Sequence, residues 1–182
     1  MTINEIKELL SHEPTAELIA ELAQDKRVAV QKLLQSYHKR IEKAALEKER
    51  FHKMLSYERQ YYGEGAKLIA GVDEAGRGPL AGPLVIAAVI LPEDVFISGL
   101  NDSKQISASK RAKLYDEVLQ KAISASVNIV SISNIDELNI YRATQVGMSE
   151  VLLSLDVRPD VALIDAMPVE AEDIKTVSLV HG

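Results

Sequence analysis

The chain has 182 residues, 47% of them hydrophobic, which suffices for one good-sized domain with a real core plus a small appendage. The absence of cysteine excludes disulfides, thiolate zinc sites and cysteine nucleophiles, so any metal must be held by oxygen or histidine. No apolar stretch reaches the ~18 residues of a membrane span. The N-terminus MTINEIKELLSHE also lacks the charged-then-apolar form of a signal peptide, so a cytoplasmic protein without membrane association is expected.

The formal net charge of -6 argues at first against a nucleic-acid partner, but the charge is unevenly placed. Residues 1–25 carry one basic and six acidic groups, residues 26–59 ten basic and four acidic, and residues 60–64 only Glu64, so the first 64 residues sum to zero. Residues 65–182 hold ten basic and sixteen acidic groups, so the whole excess lies there, where clustered metal-binding carboxylates could contribute to it.

In chain order, Ile3, Ile6, Leu9 and Leu10 form a short helical stripe. Pro14 suits the first turn of a second helix, continued by Ala16, Leu18, Ile19 and Leu22. From Arg27 to Tyr62 no proline or glycine intervenes, and apolar residues near helical spacing from Val30 to Tyr62 predict one long amphipathic helix. Gly63 and Gly65 then break the pattern, which places a boundary between a helical region, 1–64, and an α/β region, 65–182. KLIAGVDE reads as a strand entering a glycine turn, and LVIAAVIL from Leu84 as a strand apolar on both faces. ASKRAKLYDEVLQKAI reads as a helix capped by Ser107, followed by a strand at ASVNIVSI. Asn134 with Glu137 resembles a capping box for a helix running to about Leu155, and VALIDAM and TVSLV are two more strands. Five strands and two helices predict an α/β sheet whose strand order is left open.

Asp73 and Glu74 stand side by side where a buried strand ends, just before Gly76-Arg77-Gly78. Adjacent carboxylates in a partly desolvated place are costly unless a cation or hydrogen bonds compensate them, and a divalent metal is the natural compensation. The bland alternative is a solvated acidic turn. Asp165, closing the apolar run from Val161 to Ile164, supplies a third acid, and oxygen donors converging from strand ends suit a hard cation such as magnesium. The glycines do not fit a dinucleotide-binding turn: the last gap is one residue too long, Pro79 interrupts, and a strand follows rather than a helix. Glycines flanking Arg77 instead let backbone amides approach a sugar-phosphate chain; the alternative for Arg77 is a plain salt bridge. Asp102, Ser103 and Lys104 read, from spacing alone, as a polar turn leading to the helix capped by Ser107. The histidines His12, His38, His52 and His181 show no metal-ligand spacing.

GVDEAGRGPLAGP from Gly71, NDSKQIS with a Lys-Arg pair following, and IDAM, in that order and spacing, are similar to bacterial ribonuclease HII. The resemblance covers residues 65–182. It implies a ribonuclease H-like α/β fold, a mixed sheet flanked by helices, here preceded by a small all-helical N-terminal region. It implies an endoribonuclease acting on RNA/DNA hybrids and on DNA containing ribonucleotides, using Mg2+ or Mn2+ and leaving 5′-phosphate and 3′-hydroxyl ends. Asp73, Glu74 and Asp165 take the places of three of the family's four metal-binding acids. Gly76, Arg77 and Gly78 take the place of the loop that senses the ribose 2′-hydroxyl, the one group that separates the two sugars. Ser103 and Lys104 match a serine and a lysine near the substrate backbone.

The family pattern continues past Gly182 to an aspartate, a helix and a fourth metal-binding acid, so the chain reads as C-terminally truncated. A truncated chain is expected to bind metal poorly and cleave weakly, and to self-associate through uncovered apolar surface where the full-length enzyme is a monomer. The basic helix from Lys26 to Arg59 reads either as a nucleic-acid-binding module or as an ordinary solvated face.

Overall fold

The computed structural model describes residues 1–78 and 82–179. Pro79, His181 and Val180 at the end of the expected fifth strand lie outside the described residues. The chain forms two compact units, Met1–His52 and Lys53–Gly182. No helix among the described residues is long and apolar enough to cross a membrane.

The first unit is built from α1 (Ile3–Leu9), α2 (Ala16–Ala23) and the greater part of α3 (Val28–Met54). Thr2 caps α1 in a full capping box with Glu5, which satisfies amides that the helix itself cannot pair. Thr15 caps α2 by accepting from the Leu18 amide, so Pro14 precedes the cap instead of occupying the first turn. The stripes expected from helical spacing meet: Ile6, Leu10, Leu22, Val30 and Leu34 form one buried cluster.

The expected single helix from Arg27 to Tyr62 is two helices, because α3 ends at Met54 and α4 spans Ser56–Gly63. Leu55 between them has ψ 26 and no side-chain cap. No proline or glycine sits there, and the interruption falls close to the border of the two compact units.

The second unit is organised by a five-stranded mixed sheet of β1 (Ile69–Ala75), β2 (Leu84–Ile90), β3 (Ser124–Val130), β4 (Val161–Asp165) and β5 (Lys175–Leu179), in the order β3-β2-β1-β4-β5. β1, β2 and β3 pair antiparallel, whereas β4 pairs parallel to β1 and β5 parallel to β4. α5 (Ala108–Lys121) starts on Ser107 as expected. The expected helix from Asn134 is two, α6 (Ile132–Leu138) and α7 (Ile140–Leu153), so the described part of residues 65–182 has three α-helices rather than two. The cap of α6 is Ser131, which accepts from the Asn134 amide; the hydroxyl comes three residues before the expected asparagine and starts the helix early. Asn139, at φ 63, ends α6 and caps α7 by accepting from the Arg142 amide.

α7 packs on β3, β2 and β1. Leu84, Ile86, Ala88 and Ile90 of β2 point to it and join Met148, Val151 and Leu152 in the main core. The approach is close: a Cβ on Gly147 would lie 2.5 Å from Ile86 Cδ1 and 2.8 Å from Val130 Cγ2. On the other face Tyr61 and Tyr62 of α4 pack against Ile69, Val161 and Leu163. Both faces of β4 are therefore apolar, which is why its sequence reads as an unbroken hydrophobic run.

Asp160 sets the start of this arrangement. Its Oδ2 accepts from the Lys67 and Leu68 amides at 2.7 and 3.0 Å, and its own amide donates to the Leu68 carbonyl, tying the chain that enters β1 to the chain that enters β4. Those two amides hold the Asp160 carboxyl below its ordinary value. A carboxyl depressed on folding contributes stability above its unfolded pKa, near 3.8, and loses it as pH falls through the lower folded value. Asp160→Ala is expected to cost about 1 kcal/mol at neutral pH, a figure kept small by solvent screening. Urea unfolding of both proteins should show the gap closing as pH falls below about 4; a gap that stays constant into acid contradicts this role.

Candidate active site

β1 and β4 deliver the two aspartates. Their parallel register pairs Ile69 with Val161, Ala70 with Ala162, Gly71 with Leu163 and Val72 with Ile164. Asp73 and Asp165 are the next residues on each strand, so they sit side by side on the same face of the sheet, at strands spaced ~4.8 Å apart. Both are exposed. Asp73 Oδ1 accepts from the Glu74 amide at 2.7 Å. Directly after Asp165, Ala166 takes φ 45 and its amide donates to the Leu179 carbonyl at 2.8 Å, so the chain turns away as soon as the carboxylate has been presented.

Glu74 falls on the other face, because alternate residues of a strand point to opposite sides. Its Oε1 lies 3.3 Å from Arg77 Nη1, with the Glu74 side chain only 13% exposed. Its Oε2 is buried without a hydrogen-bond partner among the described residues, an unusual state for a carboxylate oxygen. Arg77 thus makes the ion pair that was the alternative to a phosphate contact, though it keeps 36% side-chain exposure. Among the described residues, no three His, Asp or Glu side chains are gathered closely enough to hold a metal ion. The structure brings Asp73 and Asp165 together and pairs Glu74 with Arg77.

The loop after β1 depends on Gly76. Its φ is 98, and a Cβ there would stand 2.6 Å from the Pro83 carbonyl oxygen, so no side chain fits. Gly78 is exposed, and a Cβ on it would meet nothing within 4 Å among the described residues, so the packing described does not require glycine at that position.

Ser103 and Lys104 lie exposed in a 3-10 turn, Ser103–Gln105, whose start is capped by Asp102 accepting from the Lys104 amide at 2.9 Å. No hydrogen bond or ion pair among the described residues links their side chains to the carboxylates. Arg111, noted in the sequence only as part of the Lys-Arg pair and given no role there, supports this turn: its Nη1 donates to the Ser103 carbonyl at 2.9 Å and the Ile106 carbonyl at 2.7 Å. The signal was available, since Arg111 lies in the first turn of a helix whose cap was identified, facing back over the preceding loop.

A mixed five-stranded sheet flanked by helices, with acids presented together from two central parallel strands, defines a ribonuclease H-like hydrolase. Residues 70–179 match the family model described as Ribonuclease HII, and residues 2–62 match that of the Ribonuclease HII N-terminal domain; the chain belongs to the ribonuclease HII family. It is 45% identical to the ribonuclease HII of Lactobacillus helveticus over 182 residues, all of this chain and 72% of that protein. It is 48% identical to that of Lactobacillus delbrueckii subsp. bulgaricus, covering 71% of it, and 46% identical to that of Bacillus anthracis, again covering 71%. Among solved structures, the ribonuclease H2 from Pyrococcus horikoshii matches with a TM-score of 0.53 and 27% identity over 61% of each chain.

Because Gly76 meets backbone rather than a flexible side chain, Gly76→Ala is expected to destabilise the second unit by about 1–3 kcal/mol. Gly78→Ala is expected to leave thermal stability within about 0.5 kcal/mol. Equal Tm values for the Gly76→Ala and wild-type proteins would contradict the close approach to Pro83.

Proposed function

We propose that the protein is an endoribonuclease that hydrolyses the RNA strand of RNA/DNA hybrids and cuts at ribonucleotides embedded in duplex DNA. The observation that carries this reading is the adjacency of Asp73 and Asp165, imposed by the β1–β4 register and accompanied by a glycine loop directly after β1. In this reading residues 1–64 are a helical extension, residues 65–182 form the catalytic domain, and the protein works in the cytoplasm.

The donor set consists of carboxylate oxygens, which suits Mg2+ or Mn2+ and not a softer metal. The neighbouring carboxylates of Asp73 and Asp165 suit a cation between them, and Glu74 Oε2, on the other face, is a further oxygen donor without a partner among the described residues. Asp73 and Asp165 would hold the metal, and Glu74 would join them on leaving its ion pair with Arg77. Two divalent ions, when bound, supply activation of the attacking water and stabilisation of the leaving oxygen in an in-line displacement. The water oxygen bonds to phosphorus, the P–O3′ bond breaks, and the products carry 5′-phosphate and 3′-hydroxyl ends.

The chain's own residues recognise the substrate. The loop Gly76-Arg77-Gly78 places main-chain groups where a sugar can approach them, and the 2′-hydroxyl is both donor and acceptor, so backbone groups can distinguish ribose from deoxyribose. A Cβ on Gly78 would meet nothing within 4 Å among the described residues, which supports the approach of a sugar at that position. The partly exposed Arg77 offers a phosphate a charged donor in exchange for Glu74. Ser103 and Lys104 bring a hydroxyl and an ammonium to the backbone, on a turn that Arg111 holds.

Cleavage of a duplex containing one ribonucleotide, in Mg2+ and in Mn2+, tests the assignment on this chain and on a version extended to the length of its curated relatives. Asp73→Asn is expected to lower the rate by at least ~100-fold while the far-ultraviolet spectrum stays that of the folded protein. Retention of cleavage by the Asp73→Asn protein would remove Asp73 from the catalytic group.

A further inference from the structure

The basic helix carries a feature that the catalytic reading does not use. Within α3, Val30 and Leu34 are buried, and Leu33 and Tyr37 pack against the same cluster, which fixes one face of the helix inward. At 3.6 residues per turn, Lys32, Lys39 and Lys43 fall within about 40° of one another on the opposite face. All three are exposed, and among the described residues none makes an ion pair. Ser36, also exposed, is the neutral residue on the same line. The one acid between Val28 and Ala45 is Glu42, which lies roughly 60–100° round the helix from the row.

An ordinary solvated helix face interleaves charges of both signs and pairs them at i,i+4, as Glu117 and Lys121 do in α5 at 2.7 Å. The α3 row has one sign only and no pairing. From Lys32 to Lys43 it spans ~16 Å along the axis, the axial reach of about five phosphates of one strand of a duplex. It belongs to a protein of net charge -6 whose residues 65–182 hold the whole excess of acid, a region that by itself repels a polyanion.

We propose that Lys32, Lys39 and Lys43 form a binding surface for the sugar-phosphate backbone of duplex nucleic acid, contacting phosphates without reading bases. The choice of this polyanion, over an acidic protein surface, rests on the ribonuclease reading of the second unit. Lysine supplies a mobile point charge without a fixed hydrogen-bonding fork, which suits contacts that must tolerate any sequence. A surface of this kind raises the time spent on duplex and does no chemistry itself.

The test is the salt dependence of binding by the full chain, in EDTA so that nothing is cut. Fluorescence anisotropy would follow a labelled DNA duplex and an RNA/DNA hybrid between about 0.05 and 0.2 M KCl. Replacing all three lysines (K32Q/K39Q/K43Q) is expected to flatten the slope of log Kd against log salt by about 2–3, and to weaken binding at least ~10-fold at the upper salt, equally for both duplexes. The K32R/K39R/K43R protein keeps the charge and should keep the wild-type slope. An unchanged slope in the glutamine variant overturns the proposal, as does the same loss in the arginine variant, which would point to the fold and not the charge. Cleavage of the ribonucleotide-containing duplex decides the function separately. A flattened slope without any cleavage by the extended wild-type protein supports the lysine row and counts against the ribonuclease reading, and cleavage with an unaltered slope does the reverse.

Discussion

The parallel pairing of β1 with β4 is the constraint on which the rest depends. A parallel ladder in equal register places residues of the same rank on the same face, so once Val72 is opposite Ile164 the aspartates that follow must be neighbours. Nothing in either strand alone brings them together, since Asp73 and Asp165 are more than ninety residues apart in the chain. The cost is a pair of like charges on adjacent strands, which destabilises a sheet and is offset by the surrounding core. That core is deep where it needs to be: Ala70, Val72, Ala162 and Ile164 are buried against the helix side, and Ile69, Val161 and Leu163 on the other. The Asp160 carboxylate fixes the register at the opposite end of the same two strands by binding the amides of Lys67 and Leu68.

The two glutamate oxygens are in different states. Oε1 faces Arg77, while Oε2 is buried and unpaired, so the protein holds a polar atom whose partner must come from outside the described side chains. Arg77 ties this acid to the glycine loop that follows β1, so a cation or a phosphate arriving there would compete for the same ion pair. The close contact of Gly76 with Pro83 supports the loop from behind, through main chain alone.

Much of this was legible in the sequence because it is carried by local patterns. The five strands stand where apolar runs and alternation put them, and Ser107 caps α5 as its hydroxyl implied. Strand order was not legible, since it depends on which backbones pair at long range. The splitting of the basic helix at Leu55 is marked by no proline or glycine, and the serine and tyrosine that follow are weaker helix formers but not breakers. At the α6 cap the sequence pointed to Asn134, whereas the structure uses Ser131 three residues earlier, and a residue's capping strength does not say which of two neighbours will be used. At the site, the acids and glycines were visible as residue types, but the orientation of Glu74 towards Arg77 follows from strand alternation at the end of β1 and from the turn made by Gly76.

The central claim, that Asp73 and Asp165 are held side by side as like charges, is tested most directly by a double-mutant cycle of stability in metal-free, low-salt buffer at neutral pH. Asp73→Asn and Asp165→Asn each remove the same repulsion, so the stability change of the double variant should fall short of the sum of the two singles by about 0.5–1 kcal/mol, and the shortfall should shrink at ~1 M salt. Changes that add to within about 0.3 kcal/mol, with no dependence on salt, would mean that the two carboxylates do not sense each other and that the register does not build the site described.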